Sequence, residues 1–280
     1  MLGTSALRVL GAADLPEVEA LLAVDPVTDV FVSSRVGALG LESARLGGEM
    51  WGHVVDGRIE ALCHSGANLV PVQAGPAAVS AFADRARRQG RRCASIVGER
   101  AAVAAMWAAL EPSWGPARDV RPNQPLMAID HAPDVAPDPL VRRVRDEELD
   151  ILVPACVAMF TEEVGVSPVS ADGGALYRTR VAELVRGGRS FARIEDGRVV
   201  FKAEVGAVTA DACQLQGVWV PPELRGQGRS APGMAAVVAA ALADIAPVVS
   251  LYVNDYNDAA RATYRRVGFS DHATFMSVLF

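Results

Sequence analysis

Apolar and polar residues alternate in short runs along this chain, and helix-length apolar stretches lie between the runs. In the second half, Phe191 to Glu195 and Val199 to Val208 read as strands joined by Asp196-Gly197, a two-residue turn that favours a hairpin. A short strand at Val141 to Val144, a helix near Glu147 to Thr161 and a helix at about Gly174 to Arg186, stopped by Gly187, precede them. A strand at Cys213 to Val220, a turn at Pro221 to Gly228 and a helix over about Ala231 to Ala246 follow. The pattern ends with a strand at Val248 to Val253, a helix at Asp258 to Val267 and a last strand near Phe275 to Phe280. Strands separated by helices imply a mixed α/β sheet with parallel pairs at its centre.

The first half repeats this order. Gly47-Gly48, Trp51 and Asp56-Gly57-Arg58-Ile59 match Gly187-Gly188, Phe191 and Asp196-Gly197-Arg198-Val199, every pair at the same offset. Each hairpin is followed by an apolar strand, a helix, a strand and a helix carrying an aromatic residue, Trp107 in one half and Tyr264 in the other. Matching order over both halves points to duplication. Three prolines between His131 and Pro139 read as a linker, which divides the chain into domains at 1–130 and 140–280 around residues 131–139.

Composition narrows the partners. Acids number 33 and bases 27, a formal net charge of −6, with a pI near 5.3. That argues against a nucleic-acid stripe and a polybasic membrane patch. Lys202 is the only lysine among the 27 bases. The arginine excess resembles coding bias more than chemistry, which makes the one lysine worth locating. Cys63, Cys93, Cys156 and Cys213 lack CxxC spacing and read as reduced thiols of a cytoplasmic protein. The opening residues lack the basic and apolar regions of a signal peptide. The apolar stretch from Ala231 to Ala243 is broken by Asp244 and Pro247, short of the ~18–20 residues of a membrane span. His53 and His64 have no metal-like spacing and read as structural, so no metal is expected.

The segment from Gly217 to Ser230 carries candidate chemistry. A strand enters a glycine-punctuated turn that opens a helix, where amides without intrahelical partners and the helix dipole suit a phosphate. There is no Gly-Lys-Ser/Thr, so it is not a nucleoside triphosphate loop. Further on, Asn257 stands at the start of a helix closed by Gly268. Tyr264 lies two turns along on the same face, where a core aromatic is the plainer reading.

Arg225-Gly226-Gln227-Gly228-Arg229-Ser230 resembles the Gln/Arg-x-x-Gly-x-Gly/Ala pyrophosphate loop of the GNAT superfamily of acyl-CoA N-acyltransferases. Leu251 to Asn257, then Ala260, Tyr264 and Gly268-Phe269, is similar to that superfamily's second signature, in the right order. The resemblance covers the C-terminal half, and the duplicated layout resembles tandem GNAT proteins with one degenerate half. It implies two GNAT-like α/β domains, each a mixed central sheet with helices on both faces. Two positions depart from the pattern: Ser230 replaces glycine or alanine, and Tyr252 stands near the place of a frequent glutamate base.

The resemblance implies acyl transfer from acyl-CoA, most simply acetyl-CoA, to a primary amine by direct attack. The amides of Arg225, Gly226, Gln227, Gly228, Arg229 and Ser230 would hold the pyrophosphate. Val218, Trp219 and Val220 would flank the pantetheine arm in a splay between the strands ending at Val220 and Val253, and Asn254 and Asn257 would contact the arm or fix the helix start. Gly217 would form a bulge that frees an N–H for the thioester carbonyl. Tyr264 would protonate the leaving thiolate. Glu204, Glu162 and Glu163 are candidate bases, or else solvated carboxylates and ion-pair partners of Lys202. The first half lacks the turn, having Val70 to Pro76 instead, and is left to support the fold, cover the acceptor or form a homodimer. Two alternatives are a non-catalytic acyl-CoA-binding regulatory module and a tRNA-dependent aminoacyl- or peptidyl-transferring relative, the latter disfavoured by the acidic pI.

Overall fold

The computed structural model describes residues 5–169 and 173–280. In it the chain divides into two units. The first holds β1 (Ser5–Val9), α1 (Leu15–Leu22), α2 (Val30–Leu39), α3 (Ser43–Leu46), β2 (Glu49–Val55), β3 (Arg58–Ser65), β4 (Asn68–Val72), α4 (Pro76–Gln89), β5 (Ser95–Glu99), α5 (Arg100–Trp114) and most of β6 (Asp119–Ile129). The second holds β7 (Arg142–Arg143), α6 (Leu149–Val164), α7 (Ala175–Arg186), β8 (Ser190–Glu195), β9 (Arg198–Val208), β10 (Cys213–Trp219), α8 (Ser230–Asp244), nearly all of β11 (Val249–Tyr252) and α9 (Asp258–Val267). Unit membership does not follow chain order: Tyr252–Asn257 and Asp271–Phe280, the latter with most of β12 (Ser270–Leu279), group with the first unit.

In the first unit the strand order is β1-β2-β3-β4-β5-β12-β6. Alternation sorts its core, since successive side chains leave a strand on opposite faces. Trp51, Ala61, Cys63 and Leu69 meet Phe82, Met106 and Leu110 from α4 and α5. Their neighbours Met50, Leu62, Val70 and Val72 meet Val18, Leu22, Val32, Val36 and Leu46 from α1, α2 and α3. β12 lies antiparallel to β5, from Phe275 opposite Glu99 to Leu279 opposite Ser95. Its Met276 and Val278 seal the α4–α5 side of the core. The last strand, read from sequence as part of the second domain, thus completes the first unit. Its alternation announces a strand but not which sheet it joins.

The second unit has the order β11-β10-β9-β8-β7. α6 and α7 cover one face through Leu152, Cys156, Val181 and Val185 against Ala192 and Val199. α8 approaches β9 so closely that a Cβ on Gly233 would sit 2.8 Å from the Phe201 ring. Both Asp-Gly hairpins have two successive positive φ angles, 48° and 83° at Asp56-Gly57 and 49° and 73° at Asp196-Gly197, the geometry of a tight type I′ turn. Both also carry a register shift just before the turn, at His53/Val54 and Arg193/Ile194. The repeat therefore extends to a bulge at matching positions.

Candidate active site

A β-bulge in the second unit organises the site. On β10 and β9, Gln216 lies opposite Glu204 and Trp219 opposite Lys202, so three steps on one strand match two on the other. Gly217 takes φ +60°, where a Cβ would press on Lys202 Nζ at 2.9 Å, Met159 Cε at 3.1 Å and Glu204 Cδ at 3.2 Å. Only glycine meets both demands without strain. Beyond its start β10 loses its parallel partner: β11 registers only at Cys213 with Val249 and Gln214 with Ser250.

Lys202 and Glu204 are two residues apart on β9 and so share a face. Lys202 is 0% exposed and Glu204 7%. The Lys202 ammonium donates to the Gly217 carbonyl at 2.9 Å and stands 3.5 Å from Glu204 Oε2. Gln216 Nε2 donates to the other Glu204 oxygen at 3.0 Å. Burial favours an uncharged lysine, but the Glu204 carboxylate and the adjoining Cys156 thiol outweigh it and raise the Lys202 pKa. Burial pushes the Cys156 thiol up to about 11, so it stays a thiol at neutral pH. The sequence singles out Glu204 as a candidate base and Lys202 as the one lysine and a possible ion-pair partner. What the sequence leaves unread is their burial, which two charges at spacing two within an apolar strand signal.

The glycine turn is exposed and open. Gly226 and Gly228 take φ +74° and +75°, and a Cβ on either would meet nothing within 4 Å. Glycine is needed here for backbone shape rather than for packing. Among the described residues, no hydrogen bond is made by the main-chain N–H groups of Gly226 to Ser230, and α8 begins at Ser230. Free amides at a helix start, beside Arg229, fit a diphosphate. A shallow cavity next to the turn is lined by Arg193, Gln227, Gly228 and Arg229.

The remaining candidates divide. Arg225 forks onto Glu162 with two 2.7 Å hydrogen bonds and donates to the Val220 carbonyl at 3.0 Å. Trp219 Nε1 also donates to Glu162, at 3.2 Å. Arg225 first, with help from Trp219, lowers the Glu162 pKa and weakens it as a base. Glu163 is exposed at the end of α6. Val218 and Trp219 are half-buried beside the bulge, and Val220 is buried. Tyr264 is buried on α9 against Phe269. Burial, with a smaller push from Glu163, raises its pKa and holds the proton on the phenol. Asn254 and Asn257 group with the first unit, where Asn254 Oδ1 accepts from Gln124 Nε2 at 2.9 Å and the Asn257 amide donates to the Asn254 carbonyl at 3.0 Å.

This architecture is a tandem GNAT-like mixed α/β fold. It is similar to an acetyltransferase from the GNAT family of Colwellia psychrerythraea, at 12% identity over 98% of this chain and 99% of that one, with a TM-score of 0.59. A GCN5-related N-acetyltransferase from Sphaerobacter thermophilus matches at 19% identity over 98% and 94%, with a TM-score of 0.59. A tandem GNAT protein from the clavulanic acid biosynthesis pathway matches at 14% over 99% and 98%, with a TM-score of 0.54. No curated protein sequence matches the chain. Residues 48–152 match a domain of unknown function, DUF4081. Residues 162–269 match the acetyltransferase (GNAT) family model. No helix among the described residues is long and apolar enough to cross a membrane.

Proposed function

We propose that the second unit transfers an acyl group, most simply acetyl, from acyl-CoA to a primary amine. One observation carries this reading: a single unit holds both an open-amide turn suited to a diphosphate and a glycine bulge with a buried carboxylate against it. Acyl-CoA supplies an activated thioester when bound. The amides from Gly226 to Ser230 hold its phosphates, and an N–H of the bulge stabilises the charge that develops on the carbonyl oxygen. An alkylamine of pKa ~10 attacks only after losing a proton. We assign the acceptance of that proton to Glu204, whose carboxyl group lies against the bulge glycine between Lys202 and Gln216, whereas Glu162 is held in the fork of Arg225. Tyr264, held protonated, supplies the proton to the departing thiolate.

A coupled thiol-release screen with acetyl-CoA against an amine library tests this reading. Amine-dependent release supports transfer. Binding of acetyl-CoA without turnover of any amine supports the second reading, a non-catalytic acyl-CoA module, which the Arg225–Glu162 pairing favours by removing one candidate base.

A further inference from the structure

We propose that Lys202 is a positioning residue of the acyl site, acting through the Gly217 carbonyl to aim the Val218 N–H at the acyl carbonyl. The inference rests on the acyl-CoA reading above. The Gly217 C=O and the Val218 N–H belong to one planar trans peptide and point in opposite directions. The carbonyl is held by the Lys202 ammonium at 2.9 Å, from β9. The N–H therefore points away from the Lys202 ammonium, which in this proposal puts it on the other flank of β10. That flank is where pairing with β11 stops after Gln214 and Ser250, which leaves room for an extended ligand. Neither Gly217 nor Val218 has a register partner on β9, so the ladder does not set the direction of this peptide. Lys202 does.

Burying an ammonium completely costs several kcal/mol unless it is paired. An apolar side chain serves at the matching place in the first unit, where Leu62 is fully buried. Packing alone thus has a cheaper solution, and the ammonium supplies what packing does not: a compact donor reaching one carbonyl. Arginine is a poor substitute, because its wider planar fork cannot concentrate its charge on a single oxygen in a space this closed.

The test uses acetyl-CoA labelled with carbon-13 at the acetyl carbonyl, read by isotope-edited infrared spectroscopy on the full chain. A hydrogen bond to that oxygen lowers its stretching frequency. The wild-type protein should show the lowering. Lys202→Met should bind CoA within about twofold of wild type, a difference below ~0.5 kcal/mol, yet lose most of the lowering, and Lys202→Arg should not restore it. No lowering in wild type defeats the acyl-site reading itself. Lowering that persists undiminished in Lys202→Met overturns the positioning role alone. If the methionine variant does not fold, wild-type protein labelled with nitrogen-15 at lysine Nζ decides, since it gives one side-chain signal. That signal should move with acetyl-CoA and not with CoA; no movement, or equal movement with both, overturns the proposal.

Discussion

The strand that leaves the Asp-Gly turn occurs twice, as β3 and as β9, and the copies differ most where chemistry would be done. β3 places Leu62 and His64 in its core; β9 places Lys202 and Glu204 at the matching positions. Both strands alternate correctly, twist out of the same hairpin and are covered by helices. Building the fold therefore needs only buried volume at these positions. An ion pair there is an added demand, met in the second unit by the Gly217 carbonyl and Gln216. The turns after β4 and β10 differ in the same sense. β4 reaches α4 through Gln73, Ala74 and Gly75, with Pro76 opening the helix, whereas β10 reaches α8 through a longer turn with two left-handed glycines.

The sharpest way to break the comparison is to remove what the first unit borrows. Deletion of residues 271–280 takes Met276 and Val278 from its core. Losing even one such side chain costs ~2–5 kcal/mol, against ~5–15 kcal/mol for a whole domain. The first unit should unfold, read as loss of hydrogen-exchange protection at Ile96 and Val97. Retained protection would show that its seven-strand sheet is not needed.

Acid distinguishes the two strands next. Burial first, and the Arg35 charge second, push the His64 pKa down to about 4 from 6.5. The unfolded chain then takes up a proton between those pH values that the folded chain refuses. Stability is full above about pH 6.5 and falls as pH drops toward 4, by ~3 kcal/mol at about 1.4 per unit. Urea melts of His64→Leu should lose that part of the slope; an unaltered slope would clear His64 of it.

A third measurement compares the helices that follow. α5 presents a buried Trp107 where α9 presents Tyr264. Tyr264→Phe should lower kcat by ~10²-fold and spare CoA affinity, as loss of a general acid does. Full activity would make Tyr264 a core residue like its counterpart. The smallest effect is at the turn. Gly228→Asp puts a side chain and a negative charge where phosphates would lie, and calorimetry should show CoA binding weakened about tenfold, ~1.4 kcal/mol. The same titration of wild type should give one CoA per chain; two would return the first unit to the list of binding units.

Much of this was legible because it is local. Asp-Gly turns, helix stops at Gly47 and Gly187 and strand alternation depend on neighbours in sequence. α9 spans Asp258–Val267, as read from its apolar spacing and Gly268. The bulge at Gly217 was readable from a glycine inside a strand. What escaped depends on distant partners. Arg225 and Glu162 are far apart in the chain, and nothing in either segment announces their fork. The bond from Lys202 to the Gly217 carbonyl likewise joins two strands, and neither segment alone announces it. Tyr252–Asn257 and β12 carry no mark of the unit they join, because an alternating strand satisfies any open sheet edge.

The return of β12 to the first unit also sets a schedule for making the protein. Residues 5–127 leave the ribosome before the strand that completes their sheet has been synthesised. At ~5–20 residues per second, the interval up to Asp271 lasts about 7–30 s. Throughout it, β5 lacks the strand it pairs with and the apolar residues of α4 and α5 lack Met276 and Val278, so the first unit cannot yet complete its core. The second unit, all of whose strands lie ahead of β12, can gather its own sheet first.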